Sequence, residues 1–231
     1  MKNTKTRAIG AVAVVVLGTL ALLGLTKLVG QQHKEQLGLY VAYQALALIV
    51  AGVVVVLIAA IKGRKLGYLR FGKLAARTSP VPFLGVEKTD SWKSVGLTFA
   101  VIISVVTGIF LYLAYKAEIP SIAVSSWLLA FVIALPLSAS NALAEEVVTR
   151  WAVVEGLAGG YQRYAPWVSA VIFGAVHYFG IPGGGVGALM AGFLGWILAK
   201  TIQDTKGIGW AWIIHFLQDV LIFTITIAVF I

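Results

Sequence analysis

The chain has no cysteine among its 231 residues. That excludes disulfides, thiolate-ligated zinc and a cysteine nucleophile, and it leaves the redox compartment undetermined. Charge is scarce as well: Asp, Glu, Lys and Arg make up 12% of the chain, about half the usual share of a soluble domain. Acidic residues are the scarcer sign, nine against eighteen Lys and Arg, for a net charge of +9. With six prolines and 25 glycines in no regular period, the chain is neither collagen-like nor disordered.

What is abundant is apolar: 60% of the residues are hydrophobic, and they come in blocks. A helix needs about 20 apolar residues to cross the hydrocarbon, and several blocks reach that length. The pattern predicts an all-α, polytopic transmembrane helical bundle with about seven spans, at 8–29, 40–61, 94–115, 122–157, 165–180, 186–203 and 209–230. The fourth segment is too long for one straight span, at about 54 Å as a helix. Pro136 offers a break or kink near its middle, and the stretch 141–156 reads as a separate, eighth helix in that case. Lys2, Lys5 and Arg7 before the apolar run 8–26 resemble a signal peptide, but no small-x-small cleavage site ends the run, so it reads as a retained first span.

The cations sit in short loops beside apolar spans, which fits topology and anionic headgroups and gives no basic face for a nucleic acid. The stretch 62–93 holds eight Lys or Arg against Glu87 and Asp90, so it and the N-terminus are expected on the cytoplasmic side of the cell membrane. The loops 30–39 and 116–121 carry few cations and are expected outside; seven spans then put the C-terminus outside. The run from Gly180 to Gly185 is a breaker cluster between helices. Without a preceding strand or a following Lys-Ser/Thr it is no phosphate loop. Beyond it, Gly187, Ala191, Gly195 and Ala199 recur every four residues beside Gly184, Ala188 and Gly192. Small residues at that spacing let membrane helices pack closely.

Ionisable groups inside a span are costly and mark function. Apart from Lys27 and Lys200 near span ends, where they can snorkel, they concentrate in three places: Glu145-Glu146-Val147-Val148-Thr149-Arg150, Phe173 to His177, and His215 to Asp219. Glu146 and Arg150 are four apart and placed to pair. Glu145 lies about 100° round the helix, with Thr149 at its i+4 position and Asn141 one turn before. A carboxylate with no cation on its own face suits a general base that activates water. Two of the chain's three histidines, His177 and His215, lie in apolar helices, with Phe173 a packing residue one turn before His177. His215 and Asp219 share a helix face and suit bridging between helices, metal binding, or stabilising charge on a substrate carbonyl. Counting about 1.5 Å per residue from the inner helix ends puts Glu145 and His177 roughly 18 Å deep and His215 roughly 9 Å. At those depths all three can face one cavity open to the cytoplasm.

Glu-Glu-x-x-x-Arg, then Phe-x-x-x-His, then His-x-x-x-Asp, on successive membrane helices, resembles the CPBP family of type II (Ras-converting) CAAX prenyl endopeptidases and bacteriocin-processing or immunity proteins. The resemblance covers about residues 122–230. It divides the chain into a variable N-terminal set of helices with the cytoplasmic basic loop (1–120) and a catalytic core (121–231). It implies an intramembrane endopeptidase acting on a lipidated or hydrophobic membrane-associated peptide or protein. Glu145 is then the base polarising water, His177 assists or orients that water, and His215 with Asp219 stabilises the oxyanion. Glu146 and Arg150 hold the site together or contact substrate. The resemblance leaves zinc open. Glu145, His177 and His215 make a chemically sensible ligand set, while the His-Glu-x-x-His of zincins is absent. Two departures stand out: Trp151 follows the arginine where many members have glycine, and Asp219 stands where Asn is commoner. The alternatives are a non-catalytic membrane scaffold or self-immunity protein that uses the same pocket for binding, and a transporter or proton relay, for which no internal repeat is evident.

Overall fold

A computed structural model describes residues 2–32, 37–63, 66–180 and 183–231. The molecule is a helical bundle: α1 (Lys2–Gln32), α2 (Leu37–Lys62), α3 (Trp92–Tyr115), α4 (Val124–Glu146), a π-helical turn (Val147–Trp151), α5 (Ala152–Leu157), α6 (Ala165–His177), α7 (Gly184–Thr205) and α8 (Gly209–Phe230). Helices are what apolar runs must form in lipid, where no water is available to satisfy backbone groups. Six helical stretches among the described residues are long and apolar enough to cross a membrane, with 124–157 counted as one. The chain is a multi-pass membrane protein.

Two features depart from the expected layout. The stretch 165–180 contributes only α6, thirteen residues and about 20 Å, short of the roughly 30 Å hydrocarbon thickness. α6 ends where the breaker cluster begins: Gly180 N–H donates to His177 O (3.1 Å) and Gly184 N–H to Tyr178 O (2.7 Å), reversing the chain. Ile181 and Pro182 of that cluster lie outside the described residues. The second departure is that Pro136 does not divide the fourth segment, because α4 runs through it. Membrane helices tolerate such a proline where side chains satisfy the freed backbone. One turn on, Ser140 Oγ–H donates to Pro136 O (2.9 Å) and Leu137 O (3.0 Å), a back-bond of the kind that accompanies helix bends; the carbonyl freed by the proline ring is that of Val132, four residues before. The irregularity comes instead at the π turn eleven residues later.

The small-residue stripes of α7 face α6. A Cβ on Gly174 would meet Ala188 O at 2.6 Å, and one on Gly195 would meet Ser169 O at 2.9 Å, so the two backbones approach as closely as glycine permits. The π turn and α5 lie at the centre of the bundle, with Val148, Trp151 and Ala152 fully buried. α1, α2, α6 and α7 pack around them.

The N-terminus, the segment 66–91 and the turns 158–164 and 206–208 gather at one end, which we call the basic end. The segment 66–91 is folded there, not a free loop. Lys73 N–H donates to Thr205 O (2.8 Å), Ile208 N–H to Arg70 O (2.8 Å) and Gly209 N–H to Phe71 O (2.9 Å). Gly72 takes φ +86° where it passes Gly207 with no room for a Cβ. Glu155, buried in α5, accepts from Gly67 N–H (2.8 Å) and Tyr68 N–H (2.9 Å). Asp204 accepts from Ser79 N–H, Ser79 Oγ–H and Trp92 Nε1–H at 2.8, 2.6 and 3.0 Å.

Candidate active site

The charged clusters of α4 and α8 meet in the interior. His215 lies between the two glutamates. Its Nδ1 is 2.7 Å from Glu146 Oε1, and its Nε2 is 3.8 Å from Glu145 Oε2 and 3.6 Å from Asp219 Oδ1. Asn141 Nδ2 donates to Asp219 Oδ2 (3.0 Å) and Glu145 Oε1 (3.3 Å), joining the first cluster to the third. The straight-rod depths had set His215 about 9 Å apart from Glu145 along the membrane normal; the two helices instead bring their side chains into contact.

Burial separates the members. The side chains of Glu146 and Arg150 are fully buried and form the expected i, i+4 pair at 3.0 Å. Glu145 retains 21% exposure where His215 has 5% and Asp219 7%. Glu145 is thus the carboxylate of this cluster most open to a substrate or water.

Arg150 also stacks on an aromatic ring, with its Cζ 3.4 Å from the Phe173 centroid. The guanidinium face is attracted to the ring face, but its in-plane Nε and Nη2 donors have no hydrogen-bond partner among the described residues. Phe173 is a shared wall. Its centroid lies 4.1 Å from the His177 ring and 6.0 Å, edge on, from that of His215.

His177 stands one ring away from the carboxylates. Its Nδ1 is 2.9 Å from Phe173 O, a geometry that puts the proton on Nδ1 and leaves the Nε2 lone pair free. It is within electrostatic reach of Glu145 and His215. All four residues expected to act, Glu145, His177, His215 and Asp219, therefore lie in one region, with His177 meeting the others across Phe173.

The π turn sets this arrangement. Thr149 Oγ1 donates to Glu145 O (2.7 Å), Arg150 Nη1 donates to Thr149 Oγ1 (2.8 Å), and Ser169 Oγ of α6 donates to Thr149 O (2.8 Å). Single π turns recur at functional sites. This one follows Glu145 and Glu146 directly and places Arg150 under Phe173. Neither the π turn nor the bridging role of Asn141 was legible in advance. Asn141 had one signal, its place a turn before Glu145.

Among the described residues no group of three or more His, Asp or Glu is arranged to hold a metal ion. His215 Nδ1 is engaged by Glu146 and His177 Nδ1 by a carbonyl, so Nε2 is the atom that either ring would offer to a metal.

No curated protein and no solved structure matches the chain. Residues 125–221 match the family model described as type II CAAX prenyl endopeptidase Rce1-like. That stretch begins in α4 and ends in α8, and it contains every member of the charged cluster. By this segment the chain is similar to the Rce1-like type II CAAX prenyl endopeptidases, a family of membrane proteases.

Proposed function

We propose that the protein is an intramembrane endopeptidase that cuts a lipidated or hydrophobic membrane-associated peptide by attack of an activated water. The observation that carries this reading is the asymmetry of the paired glutamates: Glu146 is sealed against Arg150 and His215, while Glu145, beside the same histidine, stays partly open.

Glu145 takes a proton from water as the oxygen attacks the scissile carbonyl carbon, and the Nε2 lone pair of His177 orients that water. His215, held by Glu146 through Nδ1–H, acts as an imidazolium and directs Nε2–H toward the oxygen on which negative charge develops. Asn141 and Asp219 fix the edge of that position. Collapse of the tetrahedral species breaks the C–N bond, and the proton held on Glu145 passes to the leaving amine. The products are an amine and a carboxylic acid, whose proton is lost to solvent as it leaves. A positioned base of this kind supplies about 10²- to 10⁴-fold, and a preorganised donor to the oxyanion supplies a further 10²- to 10³-fold.

The excess of Lys and Arg at the basic end supports placing that end on the cytoplasmic side of the cell membrane, with substrate reaching the site from there. The partners in this reading are membrane lipid and the peptide substrate.

The test uses the purified protein with its Glu145→Ala and His177→Ala variants. Each is incubated with membrane-anchored and prenylated peptides, and cleavage is read by mass spectrometry. Cleavage by the parent that both variants lose supports the proposal; cleavage that survives both removes the site. A chelator arm separates the route described from one that uses zinc at Glu145, His177 and His215. If no peptide is cut and a cellular phenotype is indifferent to Glu145→Ala, the protein acts as a binding scaffold or immunity protein.

A further inference from the structure

A second site lies away from the charged cluster. At the basic end, a cavity of about 190 Å³ opens between the first turns of α1, the last residue of α2 and the turn after α5. It is lined by Thr4, Arg7, Lys62, Ala158, Gly159 and Tyr161, with Ala8 and Leu157 as its apolar part. Among the described residues no carboxylate lines it. Arg7 is exposed and makes no ion pair or hydrogen bond with the described residues. Lys62 Nζ donates to Ala158 O (2.9 Å), and an ammonium has two further donors. The hydroxyls of Thr4 and Tyr161 add two more neutral donors. The free N–H groups of the first turn of α1 make that helix end attractive to an anion.

We propose that this cavity binds the phosphate headgroup of an anionic phospholipid. Two cations, two hydroxyls and a helix start, with no acid in the lining, match a phosphodiester. The position selects a lipid over a free ion. Ala8 opens the apolar run of α1 at the membrane boundary, and the next turns leave Ile9, Val16 and Leu17 uncovered by protein, a surface for acyl chains directly below the headgroup. Basic pockets between helices on the cytoplasmic side are where such headgroups bind. An occupant here would tie α1 and α2 to the turn that follows α5, and so brace the helix that carries the π turn.

The experiment titrates the full-length protein in detergent with short-chain phosphatidylglycerol and, separately, phosphatidylcholine, reading bound lipid by native mass spectrometry and the shift in melting temperature. The parent is expected to prefer phosphatidylglycerol. Arg7→Gln, which removes no contact within the protein, should weaken that binding about fivefold, and Arg7→Gln with Lys62→Gln about 25-fold, from the contribution of a cation near an anionic surface. Lys88→Gln with Lys93→Gln removes as much charge elsewhere at the same end and should leave the preference intact. Unchanged binding in Arg7→Gln overturns the site, as does an equal loss in the Lys88/Lys93 control. Inorganic phosphate that gives the parent the same thermal gain overturns the lipid as occupant.

Discussion

The interior cluster and the basic end both hold carboxylates on protein partners, and they use them in opposite ways. At the basic end, one oxygen of Glu155 accepts two backbone N–H groups, and Asp204 accepts three donors from the segment 66–92. No second carboxylate competes for those donors, and the bonds are short. In the interior, Glu145, Glu146 and Asp219 converge on one imidazole. Only Glu146 reaches it at hydrogen-bond distance, while Glu145 and Asp219 stand off at 3.8 and 3.6 Å. A saturated carboxylate fastens one piece of chain to another. A carboxylate left with weak partners retains lone pairs for chemistry, and buried polar groups without full pairing are costly enough to need a functional reason.

That contrast can be broken most directly at the glutamates. Glu145→Gln keeps the size of the side chain and removes the base. We expect cleavage to fall about 10²- to 10⁴-fold with little change in melting temperature, as measured by peptide turnover and thermal unfolding of the same preparation. A fall in stability equal to that of a structural carboxylate would place Glu145 with Glu155 instead.

Glu146→Ala should do the reverse of Glu145→Gln in the unfolding assay. It leaves the Arg150 guanidinium buried with only Phe173 and Thr149 as partners, and breaking a buried pair costs about 3–5 kcal/mol. Activity should be lost as well, because His215 loses the acceptor that orients it. An Arg150→Lys variant sharpens the point: an ammonium cannot stack its face on Phe173 as the guanidinium does, so the conservative change should be nearly as damaging. Wild-type stability in Arg150→Lys would remove the stacking from the account.

Glu155→Ala frees two backbone donors of the segment 66–91 and should cost about 1–3 kcal/mol. The readout that separates it from the interior cluster is limited proteolysis. Cleavage between residues 66 and 91 should become faster while turnover of substrate by the intact fraction is unchanged. A loss of turnover with no gain in proteolysis would mean that Glu155 serves the active site.

What the sequence made legible follows from range. Spans follow from local composition, and the Glu146–Arg150 and His215–Asp219 pairs from a spacing of four. The close packing of α6 on α7 was readable from the recurring small residues of α7. The features that were not legible depend on partners far along the chain. The π turn needs Ser169 on Thr149 O, twenty residues away, and the seat of His215 needs Glu146 from another helix. The folding of 66–91 over the helix ends needs Glu155 and Asp204, whose donors come from residues 67–92, far along the chain. Pro136 misled for the same reason: the rule that a proline breaks a helix is local, and α4 is held by its packing on α8 and α2, elements far along the chain.

The smallest expected effect concerns Asp219, where the family more often has asparagine. Its Oδ2 accepts from Asn141, and its Oδ1 faces His215 Nε2 at a distance too long for a direct hydrogen bond. An amide in that place can accept from Asn141 through its oxygen and turn its N–H₂ toward the position of the oxyanion, a donor that an ionised carboxylate lacks. Asp219→Asn should therefore retain cleavage to within about tenfold, while Asp219→Ala, which leaves Asn141 without the acceptor that positions it, should lose about 10²-fold, the lower end of what a misplaced oxyanion-site group costs. If Asp219→Asn is as inactive as Glu145→Gln, the negative charge on Asp219 is required, and its task is to hold His215 in its charged form during the reaction.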